Sequence, residues 1–538
     1  MTFLNSRIAA AAVLVLTLAG PGSGVGRPQA ETGRIETDLV EVSIAGLQAL
    51  YESGTYTVTD VATWYLDRIE RYDDVYRAFL DVDRDAVLGA ALAADAARAA
   101  AGDDFQPGSL WGVPVAVKGN TSVQGRVTTA GWAGYQLPGY ELVAPEDATI
   151  ISRLREAGAI VIGLTNLPDF AASDTTISSA GGRTGNAYDW RFSPGGSSGG
   201  TATAVSANFA TVGTGSDTSN SIRLPSGASS LVGVLPTRGL VSIAGIHPLD
   251  WLLDTAGPMA RTVSDAALML SVMAGEDPSD FRTAGSGNRA PQGPYTDYLD
   301  PAALEGKRFG VPAFILDPED RGYDDGLWPE TRAMFMRAVG ELEAAGATVV
   351  IDEGILPEAF VSMTERINVV PYRRQGIEEF LAGFGPEAYH STSEFQQATG
   401  LALPAFFTNG PIRSIETDPE AENDFFGPQR RALAVYMETL DEFELDGFVY
   451  PALQMPPNNE LIPQPGGGAS QGAHTRTGWT NTIGVPAVGV PAGYYPGGLP
   501  FGLEFSGRPW RDQDLLGWAY GYEQATRHRV PPDLTEQP

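Results

Sequence analysis

Ser193-Pro194-Gly195-Gly196-Ser197-Ser198-Gly199-Gly200 runs straight into an alanine-rich, helix-like stretch that ends near Ala210. The glycines allow unusual backbone geometry and close approach of a ligand, and the N-terminus of the following helix offers N–H groups that can hold an anion or a carbonyl oxygen. A phosphate-binding P-loop would need Gly-Lys-Ser/Thr after the glycines, and Gly199-Gly200-Thr201 lacks that lysine. A nucleophile elbow, Gly-x-Ser-x-Gly, is matched formally by Ser197 and by Ser198, but an elbow needs a strand directly before it. Here Pro194 and the loop-like Tyr188-Asp189-Trp190 precede. A flexible linker disagrees with the ordered patterns on both sides.

Downstream, Val212 to Ser226 reads as a strand, a polar turn and a helix-like stretch. Upstream, Gly112 to Val117 reads as a strand that delivers Lys118. Lys118 and Lys307 are the only lysines, against 33 arginines. Arginine cannot give up its proton in a protein, whereas a desolvated lysine can become a base, so Lys118 is a candidate catalyst. The plainer reading, a strand-end lysine paired with a carboxylate, stays open on this segment alone.

Further out, composition narrows the function classes. The 538 residues include 43% hydrophobic and 19% charged types, the proportions of a folded soluble protein. A net charge of −31 repels nucleic-acid phosphates and anionic lipid, so neither is an expected partner, nor is stable membrane insertion. Without cysteine there is no disulfide, thiolate nucleophile or cysteine-held metal, and the four scattered histidines (His247, His390, His474, His528) make a histidine-rich metal site an unexpected one. No metal is therefore expected, and the chemistry must come from hydroxyls, carboxylates, amides and lysine.

Taken together, the three segments resemble the amidase signature family of serine hydrolases. The likeness extends from about Ser43 to Arg261 and returns in Trp479 to Phe505, with Gly163-Leu164-Thr165-Asn166-Leu167-Pro168-Asp169-Phe170-Ala171, Leu235-Pro236-Thr237-Arg238-Gly239, Gly257-Pro258-Met259-Ala260-Arg261-Thr262 and Gly484-Val485-Pro486-Ala487 in family order. The resemblance implies a Ser-Ser-Lys triad: Ser221 as nucleophile, Ser197 as the serine held by a cis peptide bond, Lys118 as general base. It implies an oxyanion hole of backbone N–H groups at Thr218, Ser219, Asn220 and Ser221, and needs no cofactor. Asp217, Arg223 and Ser198 read as structural support and Thr201 as a helix cap. Two departures stand out. Ser219-Asn220 replaces the family's Gly-Gly, which questions whether the turn can keep its backbone angles. Gly119 stands where aspartate usually follows the lysine, which removes an expected partner of the base.

The expected architecture is α/β: a single large domain, residues 31–538, with a mixed central β-sheet covered by helices on both faces. Helices open it, with Thr59 as N-cap of the first and a second from about Asp85 to Ala101. Strand Arg308 to Leu316, helix Pro329 to Ala345 and a strand at Thr348 to Asp352 read as a β-α-β unit with parallel pairing. Leu356 to Gly468 is less regular and reads as the place for substrate-specific insertions, with loop from Pro456 on. Arg7, the apolar run Ile8 to Ala19 and the small residues after it predict a signal peptide over residues 1–30 and an exported, periplasmic or extracellular protein.

The expected reaction is hydrolysis of a small-molecule amide. Alternatives are an ester or carbamate hydrolase using the same triad, an exported binding protein of this fold without turnover, a component of an amidotransferase that works on aminoacyl-tRNA, and a Ser-His-Asp hydrolase using Ser198 with His247 or His474. Trp132, Tyr135, Phe406, Phe407 and Trp479 are candidates for an apolar substrate pocket, against the commoner role of filling a core. Oligomeric state is not legible.

Overall fold

A computed structural model describes residues 29–316, 327–462, 473 and 476–535. The strands are β1 (Phe79–Asp81), β2 (Pro114–Lys118), β3 (Ile160–Thr165), β4 (Ile177–Ser178), β5 (Gly182–Arg183), β6 (Val212–Asp217), β7 (Val232–Leu235), β8 (Thr255–Ala260), β9 (Arg308–Val311), β10 (Thr348–Ile351), β11 (Gly447–Pro451), β12 (Ala487–Tyr494) and β13 (Pro500–Ser506). Eleven form one mixed sheet in the order β1-β3-β2-β6-β8-β7-β12-β13-β11-β9-β10, and β4 pairs with β5 in a small separate hairpin. Helices flank the sheet, as expected of the α/β class. The central strands are buried along their whole length, and glycine, alanine and valine dominate them because both faces are covered.

Parallel pairing is confined to two places. At one, β2 lies between β3 and β6 and runs parallel to both. At the other, β9 is parallel to β10 and to β11. The expected β-α-β unit is there, with Thr348 opposite Arg308 and the Pro329–Ala344 helix as its crossover. Its first strand is shorter than expected, because Pro312 cannot donate to a ladder and Ala313–Leu316 turns helical.

Two other expectations are corrected. The first long helix, Val58–Tyr76, is capped by Thr57, not Thr59. The Thr57 side chain accepts from the Asp60 N–H, and Asp60 accepts from the Thr57 N–H, a reciprocal pair that Thr59 has no acid to complete. The Thr59 hydroxyl instead donates to Asp95 at 2.6 Å, tying this helix to the Arg84–Ala101 helix. The stretch from Leu356 is also far more helical than expected, with helices at Glu358–Thr364, Arg373–Phe384, Thr392–Thr399 and Gly427–Glu442. The first three are short and bordered on one side by proline or glycine, and the 16-residue fourth opens at Gly427-Pro428, so no single long amphipathic period runs through the stretch. They are held by aromatic packing rather than propensity.

Residues up to Val40 and residues from Glu41 onward form two compact units. The first contains the Gln29–Leu39 helix, and the second contains the sheet. The expected signal peptide lies, apart from Gln29 and Ala30, outside the described residues. Among the described residues no helix is long and apolar enough to cross a membrane.

Candidate active site

The C-terminal ends of β2 and β6 meet side by side, with Val115 opposite Val212 and Ala116 opposite Gly213. That register sets Lys118, the last residue of β2, against the polar end of β6. The Lys118 N–H donates to Thr214 Oγ1 at 3.2 Å, and Lys118 Nζ donates to Ser197 Oγ at 2.7 Å and to the Ser216 carbonyl and hydroxyl oxygens at 3.0 Å each. Its side chain is wholly buried and, among the described residues, forms no ion pair. The plain reading of a carboxylate-paired strand end is therefore set aside. Burial pulls the amine down to about 7, while the more distant Asp217 and Asp254 pull it upward.

Ser197 reaches the lysine from the glycine-rich loop, where the Gly196–Ser197 peptide bond is cis. The loop is pinned at Gly195, whose carbonyl accepts from Thr176 Oγ1 at 2.8 Å. Ser198 is the residue before the Gly199–Ser206 helix. Its N–H donates to the Ser221 carbonyl at 3.1 Å and its hydroxyl to the Ser216 carbonyl at 3.2 Å. Adjacent serines thus join the loop to the lysine on one side and to the Ser221 turn on the other. Ser198 is not on a histidine: His247 faces the Tyr135 hydroxyl at 3.0 Å and the Pro248 carbonyl at 3.1 Å, and burial holds it neutral at about 3. His474 lies outside the described residues. Thr201 does not cap the helix. Its hydroxyl meets Thr165 Oγ1 at 2.7 Å and donates to the Thr214 carbonyl at 3.0 Å, bracing the helix against β3 and β6.

The turn from Thr218 to Ser221 hangs on a buried ionic bracket. Asp217 Oδ2 accepts from the Ile222 N–H at 2.9 Å and from Arg223 Nε at 3.2 Å. Arg223 also donates to Glu504 Oε2 at 3.0 Å, to Asn481 Oδ1 at 2.8 Å and to the Ser219 carbonyl. Asn481 closes the ring by donating to both the carbonyl and the carboxylate of Asp217. Burial raises Glu504 well above the usual carboxylate range while Arg223 pulls the other way. Thr218 is fixed by its hydroxyl, which donates to Asp254 at 2.5 Å. Among the described residues, the N–H groups of Ser219, Asn220 and Ser221 have no acceptor within the protein. Ser221 keeps 5% exposure, whereas Ser197 and Lys118 have none. Of the three, only Ser221 can meet a ligand directly.

Both departures have a structural answer. Neither Ser219 nor Asn220 has a positive φ, so this turn does not demand glycine's backbone angles. At Gly119 a Cβ would lie 2.7 Å from the Thr165 carbonyl oxygen and 3.0 Å from Leu80 Cδ1, which leaves no room for aspartate.

Asn481, Glu504, Ser216 and Asp254 were not singled out from the sequence. Asn481 and Glu504 lie inside the family-like stretch Trp479 to Phe505, the one signal that could have found them. The aromatic candidates divide. Trp132, Tyr135 and Phe407 pack with Phe170, Phe380 and Phe395 in one cluster, and Trp479 belongs to another with Phe360, Tyr436 and Tyr450. Phe406 is 42% exposed beneath the Arg373 guanidinium, so the five do not line one pocket.

The family model described as Amidase matches residues 60–516. A glutamyl-tRNA(Gln) amidotransferase subunit from Symbiobacterium thermophilum is 34% identical over 505 residues, covering 92% of this chain and 99% of that protein. The native peptide amidase of Stenotrophomonas maltophilia superposes with a TM-score of 0.76 at 32% identity, over 92% of this chain and 99% of that one. An amidase family protein from Bacillus anthracis superposes with a TM-score of 0.74 at 26% identity, over 95% and 96% of the two chains.

Proposed function

Because the chain belongs to the amidase signature family, we propose that it is an amidohydrolase that splits a linear carboxylic amide into acid plus amine or ammonia. The catalytic residues are Ser221, Ser197 and Lys118, and no cofactor takes part. One observation carries the reading: a lysine with no exposure, no carboxylate partner and a pKa brought down to about 7, 2.7 Å from the Ser197 hydroxyl oxygen. As a neutral amine Lys118 has one lone pair and two hydrogens. The hydrogens suit the Ser216 oxygens, one of which, a carbonyl, can only accept. The lone pair is left for the Ser197 proton.

In the proposed sequence Ser221 Oγ attacks the amide carbon as its proton passes to Ser197 and the Ser197 proton passes to Lys118. The carbon–nitrogen bond then breaks, and the relay returns a proton to the leaving amine. Water enters by the same route, cleaves the ester on Ser221 and frees the acid. The N–H groups of Thr218, Ser219, Asn220 and Ser221 serve the oxyanion, each such fixed donor contributing a few kcal/mol, on the order of 3. Asp217, Arg223 and Ser198 hold the turn.

A panel of chromogenic anilides, simple amides and esters, combined with a fluorophosphonate probe read by intact mass, tests this. Amide turnover with one adduct on Ser221 is expected. No adduct would favour a binding protein without turnover, and esters cleaved to the exclusion of amides would move the chemistry to the alternative acyl class. A second reading, a component of a tRNA-dependent amidotransferase, is favoured by the relatives that carry that name. The net charge of −31 weighs against a tRNA partner. Hydrolysis by the isolated chain without tRNA separates the two.

We infer also that residues 1–30 direct export and that 31–538 form the amidase domain, supported by Arg7 and the apolar run Ile8 to Ala19. N-terminal sequencing of protein recovered outside the cytoplasm should begin between Gly24 and Glu31, and a start at Met1 or Thr2 would refute it.

A further inference from the structure

Two cavities that share Phe281 and Arg282 carry opposite charge. The larger, about 630 Å³, is lined by five carboxylate residues and two arginines, as expected of a chain with a net charge of −31. The smaller, about 250 Å³, is lined by Arg238, Arg282, Arg289 and Arg430 and by no acidic residue. Four cations have collected where the composition makes cations scarce.

These arginines are unequally satisfied. Arg282 is held by Asp280, and Arg430 pairs with Glu422 near the surface. Among the described residues Arg289 forms no ion pair and lies over the Trp510 ring at 5.2 Å from its centroid. Arg238 forms no ion pair among them either, and Asp250 acts on it only through space. It donates to the Asn481 and Thr482 carbonyls, and its Nε is buried without a partner. Its guanidinium lies 5.9 Å from the Phe425 ring centroid. Burial, and Arg282 beside it, lower Arg238 to about 9 against the upward pull of Asp250. The remaining wall is mainly apolar, with Leu252, Leu433 and Ile483, and Thr237 and Gln429 add its uncharged polar groups.

We propose that this pocket is a binding site for a small carboxylate with an aromatic or branched apolar body, its oxygens taken by the Arg238 and Arg289 guanidiniums and its body by the rings and aliphatic wall. Guanidinium matches a planar carboxylate with paired N–H donors, and the dry rings leave no place for the hydration shell of an inorganic anion. The site is separate from Ser221, and its occupancy does not depend on the catalytic reading.

Calorimetric titration of the full chain with sodium benzoate tests it. Saturable one-to-one binding is expected, unchanged in Ser221→Ala and weakened about tenfold in Arg289→Gln, the loss of one charged hydrogen-bonding partner. Arg289 is exposed, so its replacement is expected to leave the fold intact. Arg430→Gln provides a second surface variant, expected to weaken binding less. The proposal is overturned if benzoate does not bind, if binding is lost in Ser221→Ala, if both arginine variants bind as the wild type does, or if inorganic phosphate binds as tightly as benzoate.

Discussion

Lys118 ends β2 and Lys307 precedes β9, two strands of the same sheet, each flanked by parallel neighbours. Lys307 is 38% exposed and meets Asp446 at 3.1 Å, an ordinary surface pair. Lys118 has no exposure and only uncharged oxygens within reach. The difference comes from the neighbourhood of each amine. Lys307 stands at the entrance to its strand, open to water and beside an acid. The far end of β2 is instead roofed by serines and glycines, whose small side chains let three segments close over Lys118. One residue type becomes a solvated charge or a desolvated amine of lowered pKa according to how tightly its surroundings pack.

Replacing the two lysines should separate these roles sharply. Lys118→Ala is expected to lower kcat/KM about 1,000-fold or more, the scale of a lost general base. Lys307→Ala should leave it unchanged, both read on whichever anilide the panel identifies. Next in size, Arg223→Met strands Asp217 and Glu504 as buried carboxylates without their cation. Urea unfolding should show a loss of about 3–5 kcal/mol.

Lys118→Met should do the reverse, abolishing turnover while raising stability near pH 6 by about 1–3 kcal/mol, because a desolvated amine is removed. The sign follows from linkage. The folded chain holds the amine at about 7, below its ordinary value of 10.5, so the unfolded chain binds more protons between those limits. Wild-type stability therefore gains from this group as pH rises from 7 to 10.5, and its penalty is fully present below 7. The advantage of Lys118→Met should shrink over that window in urea melts taken at stepped pH. Activity of the wild type should rise through about pH 7, as the neutral amine forms, and then level.

Smaller effects remain. Gly119→Ala forces a methyl against the Thr165 carbonyl and should cost about 1–3 kcal/mol of stability, measured by thermal melting. Lys307→Ala should cost under about 1 kcal/mol, because its partner is a half-exposed carboxylate.

The same contrast explains which parts were legible in the sequence. Lys118 stood out in the sequence as a rare lysine at a strand end, whereas Ser197 and Ser221 entered through the family resemblance of their motifs, and the packing around the amine follows from small neighbours. Of the bracket, Asp217 and Arg223 were read as support for the turn, but Asn481 and Glu504 were not, since they lie 258 and 281 residues from Arg223 and nothing near it points to them. Ser216 was hidden differently, as one more serine in a polar run, and is distinguished only by the register that sets β6 beside β2. The helices between Glu358 and Glu442 were missed because prolines and glycines at their borders break the stretch into separate pieces, of which only Gly427–Glu442 reaches 16 residues. Their aromatic side chains supply the order that local preference does not.

Asn481 and Glu504 give the molecule a timetable. A ribosome emits the three proposed catalytic side chains before the chain is half made, yet the arms that brace the Ser221 turn arrive within the final tenth or so of synthesis. Until then the early segments hold the ingredients of a reaction without the frame that aligns them. A fragment ending before residue 479 should be inert, and adding residues 479–538, which carry both Asn481 and Glu504, in trans is the natural attempt at restoring it.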